Sequence, residues 1–312
     1  MTEAGGAALA GLLILASIGS ALAGSDAPAP LPVTEIAPGI YLHQGPHEEA
    51  TPENLGGFAN VGFVVGERAV AVIDPGGSHR HGEALRAALR QVTDLPVAAV
   101  ITTHAHPDHA LGASAFVAEQ PNFIGHAKLP ASLAARGLYY IERLREPLGA
   151  LAEGTEVIMP ETLVEDRMTL DLGGRSLILT AHPTAHTDHD LSVFDSATNT
   201  LWASDLLFVE RTPVVDGSLK GWLAVLETLQ ALPAERVVPG HGPVVADWPQ
   251  ALEPQRRYLG SLLTEIRAAI AEGRSIEQAI ESVGRSEAEA WTLFEAYHAR
   301  NVVTVYTELE WE

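Results

Sequence analysis

From Gly39 onward, short runs of apolar residues alternate with longer stretches in which apolar positions return every three or four residues. Residues 39–43, 61–65 and 69–74 are β-like runs and predict strands. Between the first two, residues 43–60 are rich in Gly, Pro and Glu. That stretch is too long and polar for a hairpin turn and predicts a surface loop of the kind that carries function, with His47 read as a solvated side chain. From Gly82, Leu85, Leu89 and Val92 recur at i, i+4 and i+7, which predicts a helix ahead of a strand over 97–102. The alternation continues with helices at 111–119, 129–145 and 219–232, and strands at 122–125, 177–180, 191–195, 200–203 and 237–239. Residues 248–311 are helical in pattern almost throughout, interrupted at Gly273 and again around 284–286. Such an order predicts a layered α/β protein.

Of the 312 residues, 46% are apolar, which suffices for a buried core in one large domain or two small ones. Acidic residues outnumber basic ones 40 to 19, and the net charge of −21 repels nucleic acid and anionic headgroups at long range. A small molecule is the expected substrate. Cysteine is absent, which excludes disulfides and thiolate ligands. Residues 7–19 form an apolar run short for a membrane span, and Ala21-Leu22-Ala23 before Gly24 fits a cleavage site. Residues 1–23 therefore read as a signal peptide of an exported, periplasmic protein, with no membrane attachment after cleavage. Residues 24–36, with Pro-rich 28–32, read as a linker. Residues 37–246 read as the catalytic domain, and 247–312 as a helical region packed on it or offering a dimer face.

Candidate chemistry concentrates in Thr103-His104-Ala105-His106-Pro107-Asp108-His109, directly after an expected strand. On an extended or turning backbone His104 and His106 point to one side, while Asp108 and His109 emerge beyond the turn that Pro107 fixes. Two neighbouring metal positions follow. Zinc accepts neutral imidazole nitrogen and carboxylate oxygen at about 2.0–2.2 Å and keeps a position for water when catalytic. Later strand ends supply further ligands: His186 in Ala185-His186-Thr187-Asp188, Asp205 at the end of the strand that starts at Thr200, and His241 in Pro239-Gly240-His241-Gly242. Carboxyl ends of strands are where α/β folds place their sites.

The segments HAHPDH, AHT, SDLLF and PGHG, in this order between about Ile40 and Val245, resemble the metallo-β-lactamase superfamily. The resemblance implies a four-layer αββα sandwich, here with additional C-terminal helices, and metal bound along one edge of its two sheets. It implies that His104, His106 and His186 hold one metal, that Asp108, His109 and His241 hold a second, and that Asp205 bridges both. The set is similar to the glyoxalase II type rather than to lactamases with a Cys ligand. The stretches TAHTDHDLSVFD, DGSLKGW and TELEWE resemble more closely the exported quinoprotein relay system zinc metallohydrolases, which include SoxH-like proteins. Ala185 and His189 stand where that pattern has glycines. His182 and His189 flank His186, which is the preferred ligand.

Two zinc ions lower the pKa of a shared water towards neutrality. The expected activity is hydrolysis of an ester, thioester or amide carbonyl, β-lactams included, by a metal-bridged hydroxide, with Asp108 or Asp205 orienting it or passing a proton. Residues 248–312 show no motif similar to the basic residues with which glyoxalase II binds glutathione, so glutathione thioesters are disfavoured. Lys220 is expected to be solvated, Trp222 to be core, and Tyr139 and Tyr140 to be packing residues. Two rival readings remain. One is a mononuclear-iron persulfide dioxygenase using His104, His186 and Asp205; the other is a non-catalytic metal-binding accessory protein of a periplasmic oxidation pathway.

Overall fold

The computed structural model describes residues 1–2 and 28–312. Residues 3–23 of the expected signal peptide and 24–27 of the linker lie outside the described residues. Strands β1 (Thr34–Ala37), β2 (Ile40–His43), β3 (Val61–Val65), β4 (Val70–Ile73), β5 (Val97–Ile101), β6 (Asn122–His126) and β7 (Thr162–Val164) lie in sequence order in one sheet. It is antiparallel as far as β4 and parallel from β4 to β7. The second sheet holds β8 (Arg167–Asp171), β9 (Ser176–Ala181), β10 (Leu191–Asp195), β11 (Thr200–Phe208) and β12 (Arg236–His241), in the order β12-β11-β10-β9-β8. Only its β11–β12 pair is parallel.

The apolar runs read from the sequence are continuous because both faces of each central strand are covered. In β4, Ala71 and Ile73 point into the layer between the sheets, where they meet Leu179, Val193 and Trp202 of the second sheet. Val70 and Val72 point the other way, to Leu85 and Leu89 of helix α1 (His79–Val92) and to Phe116. The outer face of the second sheet is covered in the same manner. Leu201 and Ala203 of β11 share a core with helices α4 (Leu219–Gln230), α5 (Glu253–Ala271) and α7 (Phe294–Leu309). Helix, sheet, sheet, helix is therefore the order of layers, an αββα sandwich with its C-terminal helices built into one outer layer. Three further helices are α2 (Pro107–Ala110), α3 (Leu129–Leu148) and α6 (Ile276–Ser282).

Several elements differ from expectation for local reasons. β1 overlaps the end of the expected linker and pairs antiparallel with β2. Neither β7 nor β8 shows an apolar run, because β7 is short and β8 alternates exposed and half-buried positions at a sheet edge. Residues 111–119 form a 3-10 rather than an α-helical segment. At the end of the sandwich defined by Pro38 and Val65, Arg175 ties the two sheets together. Its Nη1 donates to the carbonyls of Pro38 and Val65, and its Nε and Nη2 donate to the two oxygens of Asp195 at 3.0 and 2.8 Å. Among the described residues no helix is long and apolar enough to cross a membrane.

Candidate metal centre

Four segments deliver the expected ligands to one edge of the sandwich. The 102–106 segment leaves β5, bends at His104 and Ala105 and is extended again at His106, and Pro107 occupies the first turn of α2, so that Asp108 and His109 follow at once on the helix. His186 lies on the loop between β9 and β10, and His241 is the last residue of β12. Asp205 departs from expectation: it does not end its strand but sits inside β11, which runs on to Phe208. Ser204 just before it has φ +48, and the register with β12 shifts there. That irregularity turns the Asp205 carboxylate toward the other ligands, the usual service of a bulge beside a site. Gly240 is required by the same packing, since a Cβ there would lie 1.7 Å from Asp205 Oδ1.

The side chains converge as two adjoining clusters, His104 with His106, His186 and Asp205, and Asp108 with His109 and His241. His106 Nδ1 is 3.0 Å from both His104 Nε2 and His186 Nε2. Asp205 faces both clusters. Its Oδ2 lies 3.2 Å from His186 Nε2 and 3.5 Å from His104 Nε2. Its Oδ1 lies 3.1 Å from His109 Nε2 and 3.5 Å from His241 Nε2. Asp108 Oδ2 completes the second group at 3.6 Å from His109 Nε2 and 3.4 Å from His241 Nε2.

Every imidazole has its outward nitrogen held, which settles which nitrogen is turned to the centre. His186 Nδ1 donates to Val214 O at 2.7 Å and His241 Nδ1 to Phe58 O at 3.2 Å. His109 Nδ1 donates to Asp74 Oδ2 at 2.8 Å, and His104 Nδ1 lies 3.1 Å from Thr103 Oγ1. His106 is turned the opposite way: its Nε2 donates to Asp216 Oδ2 at 3.1 Å, leaving Nδ1 inward. Asp74, in left-handed backbone at φ 54, also accepts from the Thr103 backbone N–H, Thr103 Oγ1 and Ser204 Oγ. It thereby locks the loop carrying His104 to the irregularity preceding Asp205.

The inward atoms fit a pair of cations. Asp108 Oδ2, His109 Nε2 and Asp205 Oδ1 are buried and make no hydrogen bond, although they crowd one another. Burial acts on each group first, pushing His104 well below its ordinary pKa. At His109 burial pulls the same way, but the carboxylates of Asp205, Asp108 and Asp74 hold the pKa well above its ordinary value. Burial would raise Asp205, yet His109, His241 and His104 hold it well below the usual carboxylate range. Such a field favours positive charge at the centre, and the donor set of imidazole nitrogen and carboxylate oxygen suits a borderline divalent metal.

All seven expected ligands are thus brought together. The flanking histidines are not among them. His182 Nε2 contacts Ser192 Oγ at 2.7 Å. His189 Nε2 accepts from the Ala105 backbone N–H at 3.1 Å while its Nδ1 donates to Asp188, so it braces the His104–His106 turn. Lys220 pairs with Glu312, and Trp222 is fully buried with its Nε1 donating to Leu206 O. His47 lies 3.4 Å from Glu210, away from the centre. Tyr139 and Tyr140 line a cavity of about 580 Å³ over the metal centre; Tyr140 also packs as expected, against Ile141, Leu144 and Leu148, whereas Tyr139 is exposed. Four arginines in that wall, and the bracing residues Asp74 and Asp216, went unread. Each is a lone residue with no spacing to mark it, although Asp216 opens the DGSLKGW stretch that the resemblance singled out.

A family model described as the metallo-beta-lactamase superfamily matches residues 55–241. Comparison with curated proteins gives no match. Among solved structures, TMB-1 is 20% identical with a TM-score of 0.58, over 75% of this chain and 98% of that one. The metallo-beta-lactamase from Pontibacter korlensis is also 20% identical with a TM-score of 0.58, over 74% and 99%. A stereoselective inverting sec-alkylsulfatase from Pseudomonas sp., Pisa1, is 17% identical with a TM-score of 0.70, over 89% of this chain and 50% of that one. At these identities the likeness is one of fold.

Proposed function

The chain belongs to the metallo-beta-lactamase superfamily, and from that premise we propose that it is an exported dinuclear zinc hydrolase cleaving an ester, thioester or amide of a small molecule. The observation that carries this reading is the Asp205 carboxylate, with one oxygen turned to each cluster. Two zinc ions held there supply a water of lowered pKa and polarise the substrate carbonyl. The protein's own part is positioning. His104, His106 and His186 present three nitrogens to one side, and Asp108, His109 and His241 close the other. In this reading the Asp108 carboxylate takes a proton from the attacking water and returns it to the leaving group, a role supported by its lining the cavity. The cavity volume of about 580 Å³ suits a small molecule rather than a polymer. Export rests on the leader-like pattern of residues 7–24.

The mononuclear-iron reading employs His104, His186 and Asp205 and gives no role to Asp108, His109 and His241. The convergence of those three favours the dinuclear reading. Elemental mass spectrometry of protein purified without added metal tests it. About two zinc per chain supports the proposal, and about one iron overturns it. Absence of turnover by the fully zinc-loaded protein on ester, thioester and β-lactam substrates would sink the hydrolase itself.

A further inference from the structure

The cavity wall is arginine-rich in a chain that is poor in cations. Of its seventeen lining residues four are arginines, whereas the whole sequence has 19 Lys and Arg in 312 residues. The four are not equivalent. Arg211 is buried and fixed, donating to Glu48 O and Tyr297 and lying 4.9 Å from the Phe58 ring centroid, so it is structural wall. Arg143 is at the outer rim, paired with Glu146.

Arg136 of α3 and Arg300 of α7 form a different arrangement. Both converge on one carboxylate, Arg136 Nη1 at 2.7 Å from Asp216 Oδ2 and Arg300 Nη2 at 3.0 Å from Oδ1. The side chains are 51% and 53% exposed, against 15% for Asp216. Two guanidiniums on one carboxylate leave an excess positive charge facing the cavity. Each guanidinium has five N–H groups in a rigid fork, and a single one of them on each reaches Asp216. The same Asp216 holds His106, so this charge stands one carboxylate and one imidazole from the metal centre.

We propose that Arg136 and Arg300 form a clamp for a carboxylate carried by the substrate, which makes the preferred substrates monoanionic esters or amides, such as half-esters of dicarboxylic acids. The proposal rests on the hydrolase reading for its chemistry, but the clamp itself is a binding site. Forked guanidinium–carboxylate contacts are charge-assisted and directional, and they would anchor the far end of the substrate while its carbonyl reaches the centre. Phe58 and Tyr139 also line this cavity.

The test compares 4-nitrophenyl hydrogen glutarate with its methyl ester, in which the carboxylate is masked, on the zinc-loaded protein. The clamp predicts a kcat/KM ratio of about tenfold or more in favour of the acid, expressed mainly in KM and reduced by added salt. In R136Q and R300Q that ratio should fall toward one. R136K and R300K keep the charge without the fork; they should give an intermediate ratio and serve where a Gln variant does not fold. A purely structural role, exerted through Asp216 on His106, would slow both esters alike and leave the ratio unchanged, which overturns the proposal. So does a wild-type ratio near one. If neither ester is turned over, calorimetric titration with glutarate separates the two readings. Binding that depends on Arg136 and Arg300 keeps the clamp while the hydrolase reading falls, and no such binding removes the clamp.

Discussion

At the scale of single residues, the centre is built from ligands and from the groups that aim them, and the two kinds were unequally visible. His104, His106, Asp108 and His109 are dense in one short segment, and His186, Asp205 and His241 were expected at strand ends, so the pattern of the sequence pointed to them even though Asp205 proves to lie inside β11. Asp74 and Asp216 act through another residue's nitrogen, and nothing local in the chain marks such a role. Their consequences are nonetheless separable. In Asp205→Asn the bridging charge is lost from both clusters at once. Both metals should therefore weaken together, by more than the 10–100-fold that loss of a supporting hydrogen-bond partner costs. Competition with a chromophoric chelator measures this, and departure of one metal alone would show that Asp205 does not bridge. In Asp216→Asn the effect should be one-sided. His106 loses its charged acceptor, so the first metal should weaken by about 10–100-fold while the second holds. Stoichiometry after dialysis against graded chelator reads the difference, and equal loss of both would count against the assigned geometry.

At the scale of elements, the central strands were legible because burial on both faces makes them continuous apolar runs, as in β4 and β5. Edge strands carry no such signature, and the length of β11 was hidden because its irregularity at Ser204 interrupts the strand at the functional position. Within the second sheet, Asp195 holds the Arg175 guanidinium that reaches across to Pro38 O and Val65 O of the first. Burial alone would raise Asp195, but hydrogen bonds from Arg175 and Thr198 hold its pKa below the ordinary carboxylate value. A carboxylate depressed in the folded state contributes stability above its unfolded pKa, and that contribution is lost as pH falls through the folded value. Arg175→Met leaves a buried charge without its partner, which costs about 3–5 kcal/mol near neutral pH. The gap from wild type should narrow as pH falls into the range where Asp195 in the variant, lacking Arg175, takes up a proton before the wild-type carboxylate does. Urea midpoints of both proteins across that range check the sign, and a pH-independent gap would place the pair outside the folding balance.

At the scale of the whole molecule, the C-terminal helices are not an appendage. Tyr258, Leu259, Leu262, Val302 and Val305 are fully buried in one core with Leu201 and Trp222. Each contributes about 1.5–3 kcal/mol of burial, together comparable with the 5–15 kcal/mol net stability of a whole domain. A chain ending at Asp247 keeps every metal ligand, yet it should fail to give a cooperative thermal transition by circular dichroism. A sharp transition would show that 28–247 folds alone. The sequence pattern identified these helices but not what they cover, since an apolar stripe does not name its partner. Their last member also reaches the site. Asn301 donates to Pro213 O and accepts from the Val215 backbone N–H, which fixes the segment whose Val214 carbonyl holds His186. Ribosomes make proteins from the N-terminus outward, so all seven ligands have been synthesised by residue 241, while the groove that steadies one of them and offers Arg300 waits for the final turns. The last segment to be made thus completes a centre whose ligands were all made before it: until α7 packs, the loop behind His186 lacks its brace and the cavity wall lacks Arg300.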